Sequence, residues 1–163
     1  MKKTAWILSC LCVAAILCGC GSETPQQPEK EKISAKGIVW MTDFEVAKSQ
    51  AKISGKPILL VFSGSDWCTW CIKLDKEVFS TDEFKNWAAD NVITVIADFP
   101  TGKTLPDEVV KQNNQLQTTY NVAGFPTVFL LRDDGSVIAK TGYLRGGAAQ
   151  YIRHLKMFLG ANK

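Results

Sequence analysis

Apolar residues along the chain alternate between the spacing of amphipathic helices and the continuous runs of buried strands. The capping-box pattern Thr42-x-x-Glu45 predicts the start of a first helix, and Gly55 ends it. Three apolar residues at helical spacing form the inward face of this helix: Phe44, Ala47 and Ala51. Residues 58–62 are a short continuous apolar run, which predicts a strand buried on both faces. The β-branched run 92–97 predicts a second strand, joined to the first by a parallel crossover.

Helical spacing returns between these two strands. Cys71, Leu74 and Val78 recur three and four residues apart, which predicts a helix directly after the first strand. Ser80-x-x-Glu83 is a second capping-box pattern, and it predicts the start of another helix. The inward face of that helix has three apolar residues: Phe84, Trp87 and Ala88.

The C-terminal half of the chain predicts one more helix, a hairpin and a last helix. Pro106, at a first helical position, starts a polar helix that reaches about Tyr120. Residues 127–131 and 137–140 flank the turn sequence RDDGS and predict a hairpin. After Gly146 and Gly147 comes an amphipathic helix with five inward residues: Tyr151, Ile152, Leu155, Phe158 and Leu159. The order of elements predicts one α/β domain, with a mixed sheet, helices on both faces and an extra N-terminal helix.

The N-terminus has the pattern of an export signal. Lys2 and Lys3 precede an apolar run over residues 5–17, which is shorter than the roughly 20 residues of a permanent span. Leu17-Cys18-Gly19-Cys20 resembles the lipobox of bacterial lipoproteins, whose cysteine is acylated and becomes the first mature residue. An ordinary signal peptide that contains cysteines is the alternative. We predict a lipoprotein signal peptide over residues 1–19 and a lipid anchor at Cys20, and Gly21 after it favours the outer membrane.

The segment after the lipobox is polar. Residues 22–32 are rich in Pro, Gln, Glu and Lys and show no apolar periodicity. We therefore predict that residues 20–36 are a flexible tether and that residues 37–163 are the folded domain. Removal of the signal with Lys2 and Lys3 lowers the formal charge from +3 to +1. No basic stripe is left that would indicate a nucleic-acid partner.

Removal of the signal peptide changes which cysteines stay as free thiols. Four of the six lie within the first twenty residues, and processing takes three of them: Cys10, Cys12 and Cys18. Lipid occupies Cys20. Cys68 and Cys71 are then the free thiols of the mature protein, in an oxidising compartment where thiols pair.

The spacing of Cys68 and Cys71 assigns them different roles. Cysteines at i and i+3 share one helical turn and are close enough for a disulfide. Cys68 follows a buried strand and so lies at a helix N-terminus, where unpaired N–H groups and the helix dipole favour the nucleophilic thiolate. Cys71 lies one turn inside, positioned to attack a mixed disulfide. We therefore predict that Cys68 attacks and Cys71 resolves.

Other uses of a Cys-x-x-Cys pair fit the sequence less well. Haem attachment needs a histidine after the second cysteine, where Ile72 stands. Structural zinc needs about four ligands, and the single histidine, His154, is far along the chain. An inert structural disulfide stays open, although so short a loop contributes little stability through chain entropy. The pattern favours redox chemistry without a metal or other cofactor.

Residues 61–78, followed by Gly124-Phe125-Pro126-Thr127 and Gly142, resemble the thioredoxin superfamily, in particular its exported "WCxWC" disulfide reductases and isomerases. The resemblance covers roughly residues 38–160. It implies a thioredoxin-like three-layer α/β/α fold, with Trp67 packed beside the dithiol and a cis Pro126 facing Cys68. It also implies that Phe125 offers its backbone to an extended client peptide.

Two other positions keep two interpretations each. Gly142 matches a glycine that lines the same groove in the family, or it serves a turn at the end of a strand. Trp70, inside the motif, is either a docking surface beside Cys68 or a residue that tunes the reduction potential.

The sequence departs from the family at a position that concerns proton transfer. Six residues before the first cysteine the family often has a buried acid, but Phe62 stands there, and residues 92–97 contain no lysine. Water or Asp66 is the expected substitute, although Asp66 also reads as an ordinary solvated loop residue.

We expect a membrane-anchored thiol–disulfide oxidoreductase that faces the periplasm and acts on protein disulfides or thiols through Cys68 and Cys71. Reductase or isomerase is favoured over oxidase by the resemblance. A membrane thiol-redox donor or acceptor and the bilayer itself are the other expected partners. The alternative is a non-catalytic lipoprotein of the same fold that binds clients or handles metal.

Overall fold

The computed structural model describes residues 32–33 and 38–160 of the 163-residue chain. Six strands lie within these residues: β1 (Lys32–Ile33), β2 (Val39–Trp40), β3 (Ile58–Ser63), β4 (Ile93–Asp98), β5 (Thr127–Leu131) and β6 (Val137–Thr141). The same residues contain five α-helices: α1 (Phe44–Ser54), α2 (Thr69–Leu74), α3 (Asp82–Asn91), α4 (Asp107–Thr119) and α5 (Gly147–Gly160). A π-helical segment, Asp75–Phe79, continues α2.

A four-stranded sheet in the order β4–β3–β5–β6 forms the centre of the fold. Strand β3 runs parallel to β4 and antiparallel to β5, and β5 and β6 form an antiparallel hairpin. Every residue of β3 and β5 is buried, because helices cover both faces of the sheet. The predicted parallel crossover and the predicted hairpin are both confirmed.

Side chains that alternate across the sheet divide the interior into two cores. Leu59 and Val61 of β3 face a core that is covered by α2, the π-helical segment, α3 and α5. Leu60 and Phe62 face the other core, which is covered by α1 and α4. The layers are helix, sheet, helix. This confirms the predicted three-layer α/β/α fold with a mixed sheet and an extra N-terminal helix.

Three predicted helix starts are displaced by one residue. Asp43, rather than Thr42, caps α1, and Thr81, rather than Ser80, caps α3. Each cap accepts the backbone N–H three residues later, at 3.0 and 3.2 Å. Serine, threonine and aspartate are all good caps, so adjacent candidates are separated only by the backbone conformation that the fold imposes. Pro106 likewise precedes the first helical residue of α4 instead of occupying it.

The apolar pattern does not predict β1 and β2, which form a separate antiparallel pair. Lys32 and Ile33 lie inside the segment 20–36 that the sequence predicts to be a tether, and the boundary between tether and domain stays a prediction. The predicted signal peptide 1–19 and Cys20 lie outside the described residues. No helix within residues 38–160 has the length and apolar character needed to cross a bilayer.

Candidate active site

The two cysteines lie where β3 gives way to α2. Cys68 is the N-cap of α2, and its Sγ accepts the backbone N–H of Cys71 at 3.2 Å. The two residues form a disulfide, with their Cα atoms 5.2 Å apart. Cys68 is 7% exposed and Cys71 is 4% exposed. The position of Cys68 at the start of the helix confirms the geometry on which the predicted division of roles depends.

The turn between β3 and α2 is built on a glycine. The carbonyl of Gly64 accepts the N–H of Cys68 at 2.8 Å and that of Trp67 at 3.3 Å. The indole of Trp67 lies so close over Gly64 that a Cβ at this position would overlap the ring. Trp67 Nε1 donates to the carbonyl of Phe99 at 2.7 Å, which ties the turn to the end of β4. The glycine therefore leaves room for the half-exposed ring of Trp67 to lie over this turn.

The loop before β5 lies on the other side of Trp67. The Phe125–Pro126 peptide bond is cis, as the resemblance implied. The Phe125 ring stacks on Phe99 with centroids 5.0 Å apart and meets the Trp67 ring edge-on at 6.0 Å. A Cβ at Gly142 would stand 3.1 Å from the carbonyl oxygen of Pro126, so these two backbones run close together. The structure thus gathers at this end of the sheet most of the residues that the sequence singled out for client binding.

Trp70 belongs to a cluster that sequence reasoning missed. Its ring lies 5.1 Å from the ring of Tyr143, and the Lys73 ammonium is 5.4 Å from both ring centroids. The Tyr143 hydroxyl donates to Glu77 at 2.7 Å, and that hydrogen bond raises the pKa of Tyr143. Trp70 itself is 49% exposed and borders a shallow groove of about 450 Å³ with Phe125. An aromatic residue directly after Gly142 was the available signal for Tyr143.

Asp66 and Phe62 lie in very different surroundings. Asp66 is exposed, and its carboxylate accepts the N–H groups of Gly102, at 2.6 Å, and Thr101. Those hydrogen bonds, the one from Gly102 first, lower the pKa of Asp66. This favours the interpretation of Asp66 as a residue that anchors a loop. Phe62 is fully buried in the core opposite α2, where it packs against Phe129.

A second polar cluster, also missed from the sequence, lies at the end of β4. Asp98 pairs with Ser63 of β3 in the sheet. The hydroxyl of Ser65, two residues after Ser63, donates to Asp98 Oδ2 at 2.6 Å. Lys103 Nζ lies 2.8 Å from the same oxygen. The signal was the position of Asp98, directly after the predicted strand 92–97, because the carboxyl ends of parallel strands meet at one edge of a sheet.

The single histidine of the chain does not lie on the elements that hold the cysteine pair. His154 lies on α5, within 3.0 Å of Thr141 Oγ1 and with its ring 4.6 Å from that of Phe158. These contacts make His154 a packing residue between α5 and the end of β6. Within residues 38–160, no three His, Cys, Asp or Glu side chains are placed to share a metal ion.

The structure combines a disulfide at the start of a helix and a cis-proline in a helix–sheet–helix fold, an arrangement typical of thiol–disulfide oxidoreductases. Residues 44–157 match the thioredoxin-like domain family, and the chain belongs to that family.

Similar proteins carry related names. The disulfide bond reductase DsbH of Chlamydia pneumoniae is 36% identical over 127 residues, which are 78% of this chain and 76% of that protein. A solved structure titled DsbH oxidoreductase superposes with a TM-score of 0.73 at 35% identity, covering 85% of this chain and 94% of the other. The thioredoxin-related protein DsbJ of the same organism is 27% identical, but the match spans only 34% of its length against 72% of this chain.

Proposed function

We propose that the chain is a lipid-anchored thiol–disulfide oxidoreductase that reduces or isomerises disulfides of other proteins outside the cytoplasm. The observation that carries the proposal is the Cys68–Cys71 disulfide with Cys68 as the N-cap of α2. The dithiol form of this cysteine pair carries two more electrons than the disulfide form, so the reaction needs no further cofactor. The similarity to a protein named disulfide bond reductase supports the reducing direction.

The reaction consists of two thiol–disulfide exchanges. In the first, the Cys68 thiolate attacks one sulfur of a client disulfide, a mixed disulfide forms, and the other client sulfur leaves as a thiolate. In the second, Cys71 loses its proton and attacks Cys68 Sγ, so that the Cys68–Cys71 disulfide forms and the second client sulfur leaves. The client gains two electrons and two protons. A membrane thiol donor then has to reduce Cys68–Cys71 before the next turnover.

The client segment is proposed to lie in the groove between Trp70 and the cis-proline loop. Pro126, Phe125 and Tyr143 also line that groove. Gly142 has no side chain at the point where its backbone approaches Pro126, so no side-chain bulk stands between these two residues. An extended segment would pair with the backbone of Phe125 and rest on the exposed rings of Trp67 and Trp70, a mode of recognition that tolerates many sequences.

The anchor is proposed from the sequence: a signal peptide over residues 1–19, acylated Cys20 and a tether to the domain. Expression of the full-length chain in a Gram-negative host tests it. The wild-type protein should fractionate with membranes, with the outer membrane favoured, and Cys20→Ala should lose the lipid mass. Wild-type protein without an acyl group at Cys20 by mass spectrometry would refute the anchor and leave the redox proposal intact.

Reduction of insulin disulfides by the full-length chain, with dithiothreitol as the electron donor, tests the activity. Wild type should accelerate insulin precipitation, and Cys68→Ser should fall to the background rate, since the attacking sulfur is missing. Cys71→Ser should accumulate mixed disulfides through Cys68. A wild-type rate equal to that of both variants would refute the enzyme and favour a client-binding module. Trapping through Cys71 in Cys68→Ser would reverse the two roles.

A further inference from the structure

The second exchange requires an acceptor for the proton of Cys71. Cys71 is only 4% exposed, so bulk water has little direct access to its thiol. A partly open cavity of about 530 Å³ adjoins it, lined by residues of α2, the ends of β3 and β4, and α4. The titratable residues that line this cavity are Cys71, Asp66, Asp75, Asp98 and Lys103. A space of this size, with these polar side chains among mainly apolar walls, has room for water molecules that connect the polar groups.

Asp98 differs from the other two carboxylates on this cavity. Its side chain is 10% exposed. Asp66 and Asp75 are both exposed. The carboxylate of Asp66 is occupied by the backbone of residues 101–102, and that of Asp75 accepts the Ser80 hydroxyl at 2.9 Å. Asp98 is therefore the buried carboxylate among the residues that line this space.

The surroundings of Asp98 hold its carboxylate in one orientation. Ser65 donates its N–H to Oδ1 at 2.9 Å and its hydroxyl to Oδ2 at 2.6 Å. Lys103 Nζ reaches Oδ2 at 2.8 Å and the Ser65 hydroxyl at 3.0 Å. Asn113, itself buried, donates to the Asp98 carbonyl at 2.9 Å. A carboxylate has about four acceptor positions, so three protein contacts leave one for water.

We propose that Asp98 accepts the proton of Cys71, through water in this cavity, as Cys71 attacks the mixed disulfide. The S–H proton moves to the Asp98 carboxylate while Cys71 Sγ bonds to Cys68 Sγ, and the client sulfur leaves with the electron pair of the broken bond. The client thiolate then takes up a proton from solvent, and Asp98 returns its own proton to solvent. This inference rests on the proposed oxidoreductase function. It assigns to Asp98 the proton transfer that a buried acid at the position of Phe62 often performs in the family.

A single turnover with the chromogenic disulfide DTNB separates the two exchanges. The reduced full-length chain, in excess over DTNB, releases one coloured thiolate when Cys68 attacks and the second when Cys71 resolves. At pH 7, Asp98→Asn should slow the second phase at least about tenfold, a threshold set below the usual contribution of about 100-fold or more from a positioned base, and leave the first phase within about twofold. The Cys68→Ser/Cys71→Ser variant gives the background from other thiols, and Cys71→Ser gives the rate without resolution.

The direction of the effect distinguishes proton transfer from simple charge. Loss of a nearby negative charge favours the Cys71 thiolate, so a purely electrostatic Asp98 would make the Asp98→Asn second phase faster. A second phase that is unchanged or faster overturns the proposal. So does equal slowing of both phases, which indicates a distorted site, or a larger effect of Asp75→Asn. Absence of both phases in wild type would refute the oxidoreductase function itself.

Lys103→Gln keeps the proposal testable if Asp98→Asn does not fold. Lys103 is 48% exposed at its side chain, so this variant should fold. The variant removes the ammonium that lies 2.8 Å from Asp98 Oδ2. Loss of a nearby positive charge makes a carboxylate easier to protonate, so the second phase should lose rate at a higher pH than in wild type as the solution is acidified. The first phase should keep its wild-type pH profile. An unchanged profile of the second phase would overturn the role of Asp98.

Discussion

Gly64 shows at the scale of one residue how a missing side chain shapes the site. Its Cα lies under the indole of Trp67, which in turn donates to the Phe99 carbonyl and contacts the Phe125 ring. One glycine thus allows the turn before Cys68, the end of β4 and the cis-proline loop to meet. The reason is space, because no room is left for a Cβ.

We predict that Gly64→Ala lowers the free energy of unfolding by about 1–3 kcal/mol, since an added methyl group forces the indole to move. Chemical denaturation of the oxidised protein measures the loss, and Trp fluorescence should shift with it. Gly124→Ala is the matched control, because a Cβ there meets no atom within 4 Å. If both substitutions destabilise the protein equally, the packing of Trp67 on Gly64 is not the cause.

At the scale of the element, the start of α1 depends on a side chain from another helix. Asp43 Oδ1 accepts the Val46 N–H at 3.0 Å, and Gln112 of α4 accepts the Phe44 N–H at 2.9 Å. Gln112 also donates to the Thr42 carbonyl at 2.8 Å. Two of the unpaired N–H groups of the first turn are therefore satisfied, one locally and one by tertiary contact.

We predict that Asp43→Ala costs about 1 kcal/mol of stability, within the usual range for loss of an N-cap. Thr42→Ala should cost less, because the structure does not use the Thr42 side chain as the cap. Thermal or urea unfolding of the two variants measures the difference. A larger loss for Thr42→Ala would restore the start that the capping-box pattern predicts.

At the scale of the whole molecule, Tyr151 joins the core under α5 to the active-site end of the sheet. The residue is fully buried, and its hydroxyl donates to the carbonyl of Gly142 at 3.1 Å. Burial raises the pKa of Tyr151 well above its ordinary value. The native protein therefore keeps this proton at a pH where the unfolded chain releases it.

The contribution of Tyr151 to stability is present below pH 10, the ordinary tyrosine pKa, and declines as the pH rises above it. Between pH 9 and pH 11 the loss from this group should be about 1.4 kcal/mol. Urea unfolding of wild type and Tyr151→Phe across this range measures it, since phenylalanine keeps the ring but has no proton to lose. The variant should show a flatter decline, and identical declines would contradict the assignment.

The sequence by itself determined the α/β class, the order of the elements from α1 to α5 and the position of the cysteine pair after a buried strand. Those features depend on local periodicity and on spacing along the chain, so one sequence contains them. The Phe44, Ala47 and Ala51 face and the run 58–62 are examples, and both are buried as predicted. Where neighbours compete, as with Thr42 and Asp43, spacing alone chose the wrong residue.

Tertiary structure decided which distant residues surround the disulfide. Asp98 and Ser65 lie 33 residues apart in the chain, and their contact depends on the register of β4 against β3. Tyr143 likewise meets Trp70 only because the start of α2 and the end of β6 lie close together in the fold. Local patterns do not encode such register, because it follows from how the two cores pack. The position of the cysteine pair can thus be predicted from local sequence patterns, whereas the tertiary fold determines which groups surround it.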